Sequence, residues 1–153
     1  MGTTIYFEGG LASIEQYEKL IHTVMVFAEE HNLPFLLFGV NPDPLGTVPF
    51  QPKESWLCPI QGIFLQPDVH SDPLVLEFDA DLKMKNRCST QFANITVHLL
   101  VIELLRRIQP LFENFSVVDE SEYWEKGDLQ LLQKKRAAVY CGHAQIQAGN
   151  RLN

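Results

Sequence analysis

Two groups of side chains in this chain could do chemistry. The denser one is a run of carboxylates, Asp68, Asp72, Glu77, Asp79 and Asp81, with His70 among them. Leu74 to Leu82 alternates, so Leu76, Phe78, Ala80 and Leu82 share one side and Glu77, Asp79 and Asp81 the other. Carboxylates at alternate strand positions stand about 7 Å apart. They could hold a divalent cation if further ligands converge, and such an ion activates water in metal-dependent hydrolases. In that reading Asp68, His70, Asp72, Glu77 and Asp79 are the metal ligands. The same row also suits a solvated strand face that discourages edge pairing. Its spacing matches no metal motif.

The second group centres on His98, which sits beside the apolar stripe of a long helix. A catalytic base there needs an orienting carboxylate and a cleft. Asp119 is a separate candidate of the enzymatic reading, since it or Glu120 could reach the carboxylate run from a neighbouring strand. The bland reading is a hydrogen-bonded histidine at the core boundary. Cys141-Gly142-His143 matches no nucleophile signature, and there is no nucleotide loop, GxSxG elbow, HExxH helix or EF-hand loop.

Binding chemistry has other candidates. Residues 41–59 contain five of the nine prolines, with Leu45, Phe50 and Trp56 among them. A long connection of this kind is more often functional than decorative, so the three apolar side chains are candidate anchors for a protein partner. Glu77, Asp79 and Asp81 are the matching charged rim. Tyr123 and Trp124, in an acidic turn, either anchor an interface or staple the last helix to the core.

The elements that must position these groups follow from periodicity. Thr3 to Glu8 reads as a strand ended by Gly9-Gly10. Ser13 and Gln16 form a capping box for a helix reaching His31, with Ile14, Tyr17, Leu20, Val24 and Phe27 on its inner face. Phe35 to Val40 is continuously apolar and predicts a central strand covered on both sides. Ile60 to Gln66 and Leu74 to Leu82 are strands, and Lys83 to Arg87 a basic turn. Ser89 or Thr90 caps a helix running to about Glu113, with Pro110 bending or shortening its last turn. Phe115 to Asp119 is a short strand. Asp128 caps a helix through about Tyr140 with Leu129, Leu132, Arg136 and Val139 inside, and the tail 143–153 is expected to fray. This order predicts a single α+β domain over residues 1–153. Its sheet is antiparallel or mixed, with about five strands, packed by two long helices and a C-terminal helix.

Thr90-Gln91-Phe92-Ala93, His98, and Asp119-Glu120 followed by Tyr123-Trp124 and Gly127-Asp128 together resemble a set of uncharacterised bacterial proteins, over residues 60–132. The resemblance implies a small bacterial α+β protein and names no reaction.

Charge narrows the choice of partner. The chain of 153 residues has a net charge of −7. Residues 1–82 hold twelve acids and only Lys19 and Lys53, whereas residues 83–153 hold ten bases and seven acids. An acidic chain is a poor nucleic-acid binder, and no apolar stretch is long enough to span a membrane. The odd, scattered cysteines Cys58, Cys88 and Cys141, with no secretory signal, point to the cytoplasm. The expectation is a non-catalytic cytoplasmic protein-binding domain without a cofactor. It would bind a partner or itself, for example as an acidic inhibitor or immunity-type protein. The alternative is the small metal-dependent hydrolase.

Overall fold

The computed structural model describes residues 3–39 and 60–137. The Pro-rich segment with Leu45, Phe50 and Trp56 lies outside them, as do Val139 and the tail 143–153. Strand β1 (Thr4–Gly10) leads into helix α1 (Ile14–Glu30), and β2 (Phe35–Phe38) follows. Then come β3 (Gln61–Leu65), β4 (Leu74–Phe78) and β5 (Lys83–Ser89). Helix α2 (Ile95–Ile108), β6 (Asn114–Asp119) and the short helix α3 (Tyr123–Lys126) follow, and residues 129–137 are helical.

The strands form two antiparallel three-stranded sheets, β5-β1-β6 and β2-β3-β4. The α+β class and the antiparallel pairing agree with the sequence reading; the single sheet and the count of about five strands do not, since six strands divide between two sheets. The sixth strand is β5, which the sequence reading made a basic turn. Met84 and Cys88 point inward while Lys83, Lys85 and Arg87 are exposed, so the alternation is real. Asn86 breaks the apolar half of that pattern, and its amide donates to the Val75 carbonyl at 3.1 Å. The two sheets meet there. Asp79 N donates to Lys83 O and Asp72 N to Ser89 O at the two ends of the same seam.

Helix α1 begins at Ser13, whose hydroxyl accepts from Gln16 N at 3.4 Å. Only half of the capping box forms, because Gln16 Oε1 is buried without a partner. Tyr17, Leu20, Val24, Phe27 and Ala28 face the core, whereas Ile14 is 52% exposed. Helix α2 is capped by Asn94 rather than Ser89 or Thr90, since the Asn94 side chain accepts from Thr96 N. Thr90 to Ala93 forms a tight turn before it. The helix stops at Ile108 and passes into a 3-10 turn at Gln109–Leu111, the shortening foreseen at Pro110.

Two further expectations are corrected. Strand β2 is an edge strand among the described residues, not a central one, and Leu36 is 66% exposed. Leu129 is also exposed, although Leu132 and Arg136 are buried as foreseen. One continuous core fills the space between sheets and helices, centred on Phe7, Leu20, Phe27, Phe78, Leu104 and Leu105. Each large apolar side chain buried there contributes about 1.5–3 kcal/mol.

Candidate functional site

The carboxylate run does not form a row. Strand β4 ends at Phe78, and residues 79–82 make a tight turn with Leu82 at φ 59°. Asp79 Oδ1 accepts from Asp81 N and Lys83 N, so this side chain ties the turn, while Asp81 and Ala80 are exposed in it. Asp68 Oδ2 accepts from His70 N, and Asp72 Oδ2 accepts from Ser89 N across the seam. Glu77 remains on β4, and His70 is exposed. Among the described residues no group of three His, Cys, Asp or Glu side chains is placed to hold a metal ion. The physical reason is local: Asp side chains in turns satisfy nearby backbone N–H groups.

The structure does bring His98 and Asp119 together. His98 Nε2 lies 3.1 Å from Asp119 Oδ2, and both side chains are fully buried. His98 comes from the inner face of α2, and Asp119 from the end of β6, where it shares the inward side with Val117. Thr90 and Ser121 complete the cluster; sequence reasoning gave neither a role in it. Thr90 Oγ1 stands 2.7 Å from His98 Nδ1 and 3.1 Å from the Thr3 carbonyl. Ser121 Oγ donates to Asp119 Oδ1 at 2.7 Å and lies 3.1 Å from His98 Nε2. Backbone N–H groups of Ser121 and Trp124 also donate to the Asp119 carboxylate.

These contacts assign the hydrogens. A carboxylate accepts only, so His98 donates to it from Nε2. With the one Thr90 hydroxyl hydrogen given to the Thr3 carbonyl, Nδ1 carries a hydrogen as well and donates to Thr90 Oγ1. Burial alone would raise the Asp119 carboxyl, but the hydrogen bond and charge of His98 and the bonds from Ser121 outweigh it. The carboxyl is held below its ordinary range. Serine, histidine and aspartate also occur in nucleophilic triads, where the hydroxyl and the carboxylate occupy opposite ring nitrogens. Here Ser121 and Asp119 share one nitrogen. Thr90 does occupy the other, but it is 0% exposed. The signal that could have found the cluster is a histidine in an apolar stripe together with an aspartate at an inward strand position.

Arg136 locks the same cluster from the last helix. Its guanidinium donates to the Thr90 carbonyl at 2.9 Å and to the Ala93 carbonyl. Tyr123 and Trp124 are half-buried and pack against the core, with the Arg106 guanidinium 4.5 Å above the Trp124 ring.

Solvent meets a different surface. The outward side of β5-β1-β6 is a grid set by strand register. Its rows are Arg87–Tyr6–Val118, Lys85–Glu8–Ser116 and Lys83–Gly10–Asn114. Tyr6 is 42% and Val118 57% exposed. A groove of about 540 Å³ opens between the lower two rows, lined by Glu8, Gly10, Lys83, Lys85, Asn114 and Ser116 among others. A hollow of about 100 Å³ lies beside Tyr6, Lys85 and Val118.

No family model, curated protein or solved structure matches this chain.

Proposed function

We propose that this chain is a non-catalytic protein-binding domain that docks through the outward side of β5-β1-β6. The observation carrying this reading is where the two kinds of group lie. The polar cluster of Thr90, His98, Asp119 and Ser121 is sealed in the core, and its members satisfy one another. A general base must reach a substrate proton, and this geometry offers none a path. Exposed aromatic, aliphatic and cationic side chains stand instead in cross-strand rows on an open sheet face. Mixed apolar and charged surface of this kind is what protein interfaces use, with Tyr and Arg prominent.

The hydrolase reading is less well supported, because Asp68, Asp72 and Asp79 hold turns and the seam. A direct test compares the full chain with a Tyr6→Glu/Val118→Glu variant as bait in its native host. Proteins retained by the first and lost by the second, then reconstituted from purified components, support the reading. An identical set on both baits overturns this docking face. Light scattering over a concentration series tells a partner from a second copy of the chain.

A further inference from the structure

We propose that the outward side of β5-β1-β6 takes an acidic segment of a partner protein. Its carboxylates would lie over Lys83, Lys85 and Arg87, with an apolar side chain against Tyr6 and Val118. This rests on the protein-binding reading above and adds the chemistry of the partner. Strand geometry supplies the first argument. Lys83, Lys85 and Arg87 occupy alternate positions of one strand and are all exposed, so three cations stand in line at about 7 Å intervals. An extended segment with Asp or Glu at every second position has the same repeat.

Charge complementarity is the second argument. The chain as a whole is at −7, yet the three rows hold three cations and one carboxylate, Glu8. A second carboxylate, Asp79, lines the groove beside Lys83, with its Oδ1 taken by the N–H groups of Asp81 and Lys83. Glu8 approaches Lys85 only to 4.0 Å, and the two side chains are 57% and 85% exposed. A pair so open to water is weak and leaves the Lys85 ammonium available to a partner carboxylate. Long-range repulsion from the rest of the chain is screened over about 8 Å at physiological salt, so the local cations decide the contact.

The third argument separates an acidic protein from a nucleic acid. Glu8 sits in the middle row, flanked by Lys85 and Ser116. A phosphate backbone tracking the three cations would run beside that carboxylate, whereas a polypeptide has N–H donors to offer it. Single-strand platforms also stack successive bases on aromatic rings. This face has one aromatic side chain, Tyr6, next to the aliphatic Val118. That pair suits an apolar side chain of a peptide.

The experiment selects short random peptides displayed on phage against the full chain. The expected winners carry net negative charge with Asp or Glu at alternate positions beside an apolar residue. A synthetic winner should bind about tenfold more weakly to a Lys83→Glu/Lys85→Glu/Arg87→Glu variant and weaken as salt rises. A Tyr6→Ser/Val118→Ser variant keeps the cations, so it should weaken binding while retaining that salt dependence. Circular dichroism checks that both variants fold. Peptides without an acidic excess, or indifferent to the triple variant, overturn the acidic partner but leave the protein-binding reading standing. No enriched peptide removes both. A single-stranded oligoribonucleotide that binds the full chain and is lost on the triple variant overturns the proposal in favour of nucleic acid.

Discussion

At the residue scale, the His98–Asp119 pair decides more than any surface charge, because neither partner has water to fall back on. Removing one member of a buried pair leaves the other uncompensated, at a cost of about 3–5 kcal/mol. His98→Ala should therefore lower unfolding stability by that amount in urea titrations near neutral pH, and a loss under 1 kcal/mol would mean that the carboxylate finds other partners. The pH dependence follows from Asp119. Its carboxyl lies below the ordinary range when folded, and near 3.9 when unfolded. The group thus stabilises the fold above the unfolded value, and that contribution is lost as pH falls through the folded value. Stability of the parent chain should decline below about pH 4 relative to its Asp119→Asn variant, narrowing the gap seen at pH 7. Parallel urea curves from pH 7 to pH 3 measure it. An unchanged gap would show that Asp119 does not titrate as the contacts require. Of this cluster, the two titratable residues were legible from sequence as an isolated histidine and a strand-end acid. Thr90 and Ser121 were not, because hydroxyl side chains take their roles from neighbours that only the fold supplies.

At the element scale, what could be read was what is local. Ser13 and Asp128 cap helices as expected, since a cap bonds backbone within three residues of itself. Asn94 caps α2 by the same chemistry, although Ser89 and Thr90, earlier in the chain, competed for that role. Asn94→Ala should cost about 1 kcal/mol, seen as a shift in the thermal midpoint. Strand β5 was hidden for the opposite reason. Its partner β1 lies at the start of the described chain, far from it in sequence, and its inner face spends a position on Asn86 to bridge to Val75. The carboxylate row failed where the strand failed, because Asp79 ends β4 by taking two backbone N–H groups into a turn. Pairing also sets limits that sequence periodicity cannot see. A Cβ on Gly62 in β3 would run into the Leu76 carbonyl of β4, so backbone would have to shift. Gly62→Ala should then destabilise by about 1–3 kcal/mol, the usual cost of forcing atoms into a packed core. A neutral result in urea would show that the β3–β4 pair can spread without loss.

At the scale of the whole molecule, the polar cluster works as a clamp between elements distant in sequence. Thr3 lies just before β1, Thr90 in the turn before α2, His98 on α2, Asp119 at the end of β6 and Arg136 on the last helix. Thr90 is the hub, with its hydroxyl between His98 and Thr3 and its carbonyl taken by Arg136. Leu132, one turn before Arg136 on the same helix, is fully buried, so apolar burial and the guanidinium together hold that helix down. A shared hub has a measurable consequence, because residues in one hydrogen-bond network do not contribute independently. Arg136→Met keeps an unbranched stem but leaves the Thr90 and Ala93 carbonyls without their donor. His98→Ala frees the Thr90 hydroxyl to bond elsewhere. In a double-mutant cycle the two losses should fall short of additivity by about 0.5–3 kcal/mol, since either one already loosens Thr90. Residues with no common partner normally add to within about 0.5 kcal/mol. Additivity within that margin would therefore place Arg136 and His98 in separate supports. The last helix would then be free to leave the body of the protein without disturbing the buried pair, and proteolysis of Arg136→Met would clip it while urea unfolding of the rest stayed unchanged.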